Sequence, residues 1–317
     1  MSGPAAGIPI VILAGSDLRR APVPSQARHL EFVVAYKGAE LRPGGRPLIS
    51  HLVERVRASA GFGPVYVAGP RRIYEPLVDC PVIDTDGHLG ENILAAVDCV
   101  RGHHGAASPL GLLACDVLPR PSEIAAMARL LTGGEGTLPA LAVALIRAPQ
   151  DLGVSQWKPR YRLRPHAGAE PVAFLPGHLG IIWPMHLRLG LVSRLLRLAY
   201  RERNRDYLRR RRGLVARILG TLLARDLLNL LRLQPPTLTY TVLRHGLGTF
   251  GAWRRGKLTL EGFAYGLGKV MVRRRYLHEH GPGCVRVVTS GLLSFATDLD
   301  TREEFLEVDK AVREGRA

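Results

Sequence analysis

The first 150 residues alternate between short apolar runs and longer segments in which apolar residues recur at helical spacing. Ile8–Ala14 and Leu110–Cys115 are continuous apolar runs, as expected of strands that are covered on both faces of a parallel sheet. Pro47–Ser59 and Leu89–Val100 have the apolar period of helices. The alternation predicts an α/β fold, with a Rossmann-like, mostly parallel sheet and helices on both faces.

The pattern changes after about residue 156. Tyr161–Leu163, Val172–Leu175 and Leu179–Ile182 have the composition of short strands separated by proline and glycine, which predicts a mixed or antiparallel edge. Helical patterns rich in leucine and arginine follow over Leu187–Arg212 and Leu214–Leu233, with shorter segments to residue 280.

Strand character returns at residues 285–289, and Thr301 and Glu304 form a capping box for a final helix. We therefore expect a core of residues 1–184 and 285–317. Residues 185–284 form a basic, mainly helical insertion in this interpretation.

The charge of the chain is concentrated in that insertion. The 317 residues carry a formal net charge of +17, and residues 185–280 hold 21 of the 44 Lys and Arg but 5 of the 27 Asp and Glu. This block therefore has a net charge of +16 and the rest of the chain +1. Leucine-rich helices over 187–233, with no helix-turn-helix or zinc-finger pattern, favour an anionic membrane surface or lipid-like acceptor over nucleic acid. A solvated basic face is an equally weighted alternative.

The cysteines and the apolar runs exclude several classes of protein. Four widely spaced cysteines without a CxxC pair argue against a zinc site or a disulfide framework and suit a reducing compartment. No stretch reaches the roughly 18–20 uncharged apolar residues of a membrane-spanning helix. The expected location is cytoplasmic, or peripheral at a membrane.

Three segments at predicted strand ends carry candidate chemistry, because parallel sheets bind ligands outside the carboxyl ends of their strands. In the first, Gly15 would let backbone amides approach a phosphate that Arg19 or Arg20 could neutralise. A simple turn is the alternative. In the second, Lys37 precedes a Gly-Gly turn and a helix, and it is either a triphosphate ligand or a solvated loop lysine.

The third segment is Asp116, directly after a buried strand. A carboxylate there, close to phosphates, suits Mg²⁺, although it could instead cap the following turn. Asp298 and Asp300 would complete the metal site if the closing strand lies beside the Asp116 strand; each could equally cap a helix.

Four motifs follow one another along the chain: Leu-Ala-Gly, a Lys before a Pro-Gly-Gly-x-Pro-Leu turn, a strand-end Asp, and a closing Asp-Leu-Asp-Thr-Arg-Glu-Glu-Phe. This order resembles the molybdenum cofactor guanylyltransferase-like (MobA-like) nucleotidyltransferases. The resemblance covers roughly residues 8–131 and 285–310. It implies a glycosyltransferase-A-type fold and Mg²⁺-dependent transfer of NMP from an NTP to a phosphorylated acceptor, with release of pyrophosphate.

The resemblance also implies roles for individual residues. The nucleotide-binding residues would be Leu13, Ala14, Gly15, Ser16, Gly87 and Asn92. The catalytic residues would be Lys37, Arg19 and Arg20, and the metal ligands Asp116, Asp298 and Asp300. On the acceptor side, His178, Lys158 and Arg160 are the candidates that the residues themselves suggest.

The sequence departs from the family pattern at the first loop. Ser16 and Asp17 stand where further glycines are expected, and an extra segment, Ala21–Val34, precedes Lys37. One alternative is therefore a degenerate, non-catalytic protein that binds a membrane or partner through its insertion. Another alternative is a glycosyltransferase of the same fold. Such enzymes usually have Asp-x-Asp at the strand end, and the sequence Asp116-Val117-Leu118 argues against this alternative.

Overall fold

The computed structural model describes residues 7–16, 34–133, 139–156, 158, 160–202, 219–224, 226–231 and 238–315. For residues 198–202, 238 and 282 it describes the backbone alone. Among the helices in these ranges, none combines the length and the apolar character that crossing a membrane requires.

An eight-stranded sheet organises the chain. The strands are β1 (Ile10–Leu13), β2 (Val65–Gly69), β3 (Val82–Asp84), β4 (Leu110–Ala114), β5 (Leu141–Arg147), β6 (Tyr161–Leu163), β7 (Val172–Ile182) and β8 (Val285–Ser290). Their order in the sheet is β3-β2-β1-β4-β7-β5-β8, with β6 paired to β7. The pairings within β1 to β4 and between β5 and β8 are parallel, and β7 is antiparallel to β4, β5 and β6. The predicted mostly parallel α/β sheet is confirmed.

β7 corrects the expectation of two short strands at a sheet edge. It is one strand of 11 residues, and it lies between β4 and β5 in the interior of the sheet. Pro176 and Gly177 interrupt the apolar pattern but do not end the strand. The register with β5 shifts between Val143 and Leu145, and such an irregularity accommodates a residue without an N–H.

The helices cover both faces of the sheet. They are α1 (Lys37–Glu40), α2 (Leu48–Ala58), α3 (Arg71–Tyr74), α4 (Leu89–His104), α5 (Pro121–Thr132), α6 (Leu189–Glu202), α7 (Leu238–Arg254), α8 (Leu260–Met271), α9 (Arg274–His280) and α10 (Arg302–Arg313). Leu52 of α2 and Ile124 of α5 are buried in one apolar core, and Val97 of α4 and Tyr276 of α9 in a second.

The basic block is more helical than its pattern predicts. The helix expected over Leu187–Arg212 begins at Leu189, and its described part ends at Glu202. Residues 219–224 and 226–231 are helical, whereas the remainder of 203–237 lies outside the described residues. Residues 238–280, which we expected to be short segments, form α7, α8 and α9. Val272 and Tyr276 share a core with α4, so these helices pack on the sheet.

The strand order places a crevice at the carboxyl ends of β1 and β4. The chain passes from β1 to β2 and β3 on one side, and β4 adds to β1 on the other side. Adjacent connections therefore leave the sheet in opposite directions between β1 and β4, which is where open α/β sheets bind ligands. Gly15 and Ser16 follow β1 there, and Asp116 follows β4.

Candidate active site

The closing segment lies beside the end of β4. The backbone N–H of Leu299 donates to the carbonyl oxygen of Asp116 at 2.9 Å. The Leu299 side chain is buried with Leu41 and Leu48, which anchors the segment. Asp298 and Asp300, on either side of this anchor, are therefore held next to Asp116. The condition stated from the sequence, that the closing strand lies beside the Asp116 strand, is not met, because β7 and β5 separate β8 from β4. The segment that follows β8 returns to the end of β4 instead.

Asp116, Asp298 and Asp300 form a carboxylate cluster. One oxygen from each lies within 4.8 Å of the other two. Their side chains are about one-fifth exposed, at 20%, 16% and 17%, so the cluster is accessible from the crevice. Carboxylate oxygens are the donors that Mg²⁺ prefers, and a metal held here would keep positions open for substrate oxygens. The donor set therefore fits a magnesium ion.

Two lysines neutralise part of this negative charge. Lys37 Nζ donates to Asp116 Oδ2 at 3.0 Å and also to Asp300. Lys158 Nζ pairs with Asp298 and lies 3.1 Å from Glu304 Oε1. Four carboxylates thus face two ammonium groups, which leaves an excess of negative charge for a divalent cation to neutralise.

The pKa values of the cluster follow from this crowding. Burial and the neighbouring Asp298 raise the pKa of Asp300 to about 7. Burial also opposes the charge on Asp298, but His178, Lys158 and Lys37 outweigh it and lower the pKa of that carboxyl. The pKa of Lys37 is raised, because Asp116, Asp300 and Asp298 outweigh the burial of its ammonium group. Lys37 is therefore a permanent cation in this crevice.

Lys37 reaches the cluster because its short helix packs tightly on the sheet. A Cβ at Gly38 would lie 3.3 Å from the ring of Tyr74 and 3.5 Å from Cβ of Cys115. The absence of a side chain there lets α1 lie against the end of β4, which places Lys37 beside Asp116.

Glu304 is a buried member of the site that the sequence revealed only as a capping residue. Its Oε2 accepts hydrogen bonds from the backbone N–H groups of Asp300 and Thr301, each at 3.0 Å. Its Oε1 accepts a hydrogen bond from Ser155 Oγ at 2.5 Å. The capping box predicted from Thr301 and Glu304 is confirmed, and it also fixes the backbone that carries Asp300.

The predicted phosphate loop is held by a second missed residue, Asp86. The backbone N–H and Oγ of Ser16 donate to Asp86 Oδ1 at 3.2 and 2.9 Å. The hydroxyl of Tyr36 donates to Asp86 Oδ2 at 2.8 Å. Asp86 follows β3 in Thr-Asp-Gly-His, and its place after a strand was the signal that could have identified it.

Gly15 and Asn92 are in direct contact. A Cβ at Gly15 would lie 2.1 Å from Asn92 Nδ2, so only glycine fits there without displacing the amide. Asn92 Oδ1 accepts from Thr85 Oγ1 at 2.8 Å and from the N–H of Gly87 at 3.1 Å. Asn92 thus joins the loop after β1 to the loop after β3, which brings Gly15, Ser16 and Gly87 together.

The remaining predicted residues divide into three groups. Leu13 and Ala14 lie at the end of β1 and just after it, where Leu13 is half-buried and Ala14 is fully buried. The N–H of Ala14 donates to the carbonyl oxygen of Ala68 at 2.7 Å, so the Ala14 side chain and N–H are both unavailable to a nucleotide. Arg19 and Arg20 lie outside the described residues.

On the acceptor side, His178 of β7 lies 3.9 Å from Asp116 Oδ1 and 4.0 Å from Asp298 Oδ1, so it spans the two carboxylates. Lys158 is 5% exposed and enclosed by Asp298 and Glu304, which leaves it no room to contact a large acceptor. Arg160 donates instead to Gln156 Oε1 at 2.5 Å.

Solved structures resemble this chain at low sequence identity. A hypothetical transferase from Thermus thermophilus superposes with a TM-score of 0.54 at 17% identity, over 94% of this chain and 99% of that one. The likeness establishes the fold. A CMP:2-keto-3-deoxy-manno-octonic acid synthetase in complex with CTP gives a TM-score of 0.48 at 14% identity, over 98% and 100% of the two chains. No protein-family model and no curated protein matches the chain.

Proposed function

We propose that this chain is a Mg²⁺-dependent nucleotidyltransferase that transfers NMP from an NTP to a phosphorylated acceptor. The observation that carries the proposal is the cluster of Asp116, Asp298 and Asp300 around the Lys37 ammonium group, at the crevice between β1 and β4. The order of these residues along the chain matches the MobA-like pattern, and the α/β fold is the one that this pattern implies.

The reaction needs positioning and charge neutralisation more than a nucleophilic side chain. An oxygen of the acceptor phosphate attacks the α-phosphorus in line; the new Pα–O bond forms as the bond to the β-phosphate bridging oxygen breaks, and pyrophosphate leaves. The attacking oxygen is already anionic, so no general base is required. Magnesium held by the three carboxylates would supply charge neutralisation on the triphosphate.

Different residues of the chain would bind the triphosphate and the acceptor. Lys37, which pairs with Asp116 and Asp300, would turn its ammonium group to the triphosphate oxygens. Gly15 would present its backbone N–H group to phosphate, whereas the N–H of Ser16 is held by Asp86. His178, between Asp116 and Asp298, faces the side from which the acceptor phosphate would approach.

Nucleotide binding tests the proposal. The melting temperature is measured with ATP, GTP, CTP and UTP in the presence of Mg²⁺, for the wild type and for Asp116→Asn. We expect one NTP to raise it by about 4 °C at a concentration of one hundred times Kd, and Asp116→Asn to remove the rise. Asp79→Asn, at an exposed aspartate paired with Arg57, is the control that should keep it.

The same experiment separates the alternatives. A chain that is stabilised neither by an NTP nor by a nucleotide-sugar, added as a fifth ligand, is a non-catalytic protein with this fold. A chain stabilised by a nucleotide-sugar and by none of the four NTPs is a glycosyltransferase.

We further infer that the basic block binds an anionic membrane surface. Leu223, Leu227 and Leu231 recur every fourth residue in the helical segments 219–224 and 226–231, and their exposed fractions are 58%, 60% and 73%. Proteins seldom leave such a stripe to water. The net charge of +16 over residues 185–280 complements anionic headgroups, and apolar and cationic groups together are what an interfacial helix uses.

A further inference from the structure

A large apolar cavity lies between the sheet and the helices of the basic block, away from the carboxylate cluster. Its volume is about 550 Å³, within the range of small-molecule sites. β5, β6 and β7 form one wall, and α7 and α8 form the other. The lining is almost wholly hydrocarbon, which excludes a nucleotide or a sugar as its occupant.

The cavity has a buried floor and exposed edges. Leu145, Leu163 and Leu258 are less than 8% exposed and form the floor, where they belong to one buried cluster. Phe250 and Trp253 of α7 also line the cavity, but they are 39% and 41% exposed. Aromatic side chains at the opening of an apolar cavity suit the entry of an extended hydrocarbon chain.

Three cationic residues adjoin the cavity lining along the chain. Arg254, Arg255 and Lys257 are exposed and follow Trp253 along the chain, immediately before Leu258 turns back into the cavity wall. An apolar cavity whose lining adjoins cationic residues suits an anionic amphiphile, with its tail inside and its headgroup outside.

β7 connects this cavity to the carboxylate cluster. Pro176 lines the cavity, and His178, two residues further along the strand, lies 3.9 Å from Asp116 and 4.0 Å from Asp298. Two residues of a strand span about 7 Å. Pro176 is itself exposed, so the cavity is open on this side. One molecule can therefore place a phosphate beside His178 and its hydrocarbon tail in the cavity.

We propose that the cavity between β5–β7 and α7–α8 binds the apolar tail of a lipid phosphate, the acceptor of the nucleotidyl transfer. The inference rests on the proposed function for the role of the phosphate head. The tail itself is held by burial of hydrocarbon against Leu145, Leu163 and Leu258.

Calorimetric titration with dodecyl phosphate and butyl phosphate, both below their critical micelle concentrations, tests the cavity without any nucleotide. We expect dodecyl phosphate to bind at least about 100-fold more tightly, because each buried methylene group contributes about fourfold and burial of only half of the additional methylene groups already exceeds this ratio. Equal binding of the two probes would overturn the proposal.

Gly246 offers a way to fill the cavity. It lines the cavity on α7, and a Cβ there meets no atom within 4 Å, so Gly246→Phe or Gly246→Leu adds bulk without a backbone clash. Gly248 is on the same helix, has equally open space and does not line the cavity, which makes Gly248→Phe the matched control. We expect the Gly246 variants to bind dodecyl phosphate at least about tenfold more weakly and the control to bind it as the wild type does.

The outcomes distinguish this inference from the proposed function. If the Gly246 variants keep both NTP binding and full affinity for dodecyl phosphate, the cavity proposal is wrong and the nucleotidyltransferase stands. If the Gly246 variants lose affinity for dodecyl phosphate but neither the wild type nor any variant binds an NTP, the cavity is a lipid site and the proposed transfer reaction is wrong. Gly246→Leu provides the same comparison if Gly246→Phe does not fold.

Discussion

The ammonium group of Lys37 lies 3.0 Å from the carboxylate of Asp116, although 79 residues separate them in the chain. The residue that the sequence assigns to phosphate and the residue that it assigns to metal thus form one ion pair. Lys37 and a divalent cation would compete for the same oxygens, whereas Lys37 and the cation would act together on a triphosphate. Lys37 should therefore weaken the binding of the cation alone and strengthen the binding of the triphosphate, and a substitution of Lys37 measures the two effects separately.

Lys37→Met should strengthen the binding of Mn²⁺ alone several-fold, because a competing cation is removed from Asp116 and Asp300. The same change should weaken NTP binding by about tenfold or more, since a charge-assisted contact to phosphate is lost. Titration of each ligand by calorimetry measures both effects. Lys310→Met, at an exposed lysine of α10, should change neither affinity. Equal losses of both affinities would show that Lys37 merely supports the fold.

Gly15→Ala should destabilise the chain by about 1–3 kcal/mol in urea denaturation, because the new methyl group would overlap the Asn92 amide. Asn92 cannot move freely, since Thr85 and Gly87 donate to its side-chain oxygen. Gly102→Ala, in the open part of α4, should not destabilise.

A double-mutant cycle tests whether that cost arises at the contact with Asn92. The loss in the free energy of unfolding caused by Gly15→Ala should be smaller in a chain that already carries Asn92→Ala. Strict additivity of the two substitutions would contradict the proposed contact.

Glu304→Ala should cost about 3–5 kcal/mol in the free energy of unfolding, measured by urea denaturation. It leaves the Lys158 ammonium without one partner and removes the acceptor for the backbone N–H groups of Asp300 and Thr301. Glu303→Ala, at the exposed neighbouring position, loses only the interaction with the helix N-terminus and should cost less than about 1 kcal/mol. A similar loss from both variants would mean that Glu304 acts only through the helix end.

Vesicle co-sedimentation should detect binding to phosphatidylglycerol-containing vesicles, weaker binding to pure phosphatidylcholine and release at high salt. Replacing Leu223, Leu227 and Leu231 by serine should reduce the bound fraction about tenfold, since this removes the exposed apolar stripe. Leu306→Ser, at an exposed leucine of α10, is the control. Binding that depends neither on lipid charge nor on salt concentration would contradict the proposal that the basic block binds an anionic membrane surface.

The grouping of Lys37 with Asp116, Asp298 and Asp300 could be predicted from the order of motifs along the sequence. The path that brings the closing pair to Asp116 could not, because two strands separate β8 from β4 and only the segment after β8 returns to the end of β4. The interior position of β7 could not, since Pro176 and Gly177 interrupt the pattern that marks a strand.

Asp86 and Glu304 were not recognised as members of the site for a different reason. The partners that define their roles, Ser16 and Ser155, lie 70 and 149 residues away, and no local pattern specifies such pairs. The cavity under α7 and α8 likewise arises from packing between helices that the sequence marks only as apolar and basic.

Direct metal binding is the most immediate test of the central claim that Asp116, Asp298 and Asp300 hold a divalent cation for nucleotidyl transfer. Mn²⁺ is titrated by electron paramagnetic resonance in the presence of the NTP that stabilises the chain, with Asp79→Asn as the control. We predict one Mn²⁺ per chain, displaced by Mg²⁺, with affinity reduced at least about tenfold in Asp116→Asn and in Asp300→Asn. Undiminished binding in both variants, or no binding by the wild type, would contradict the account.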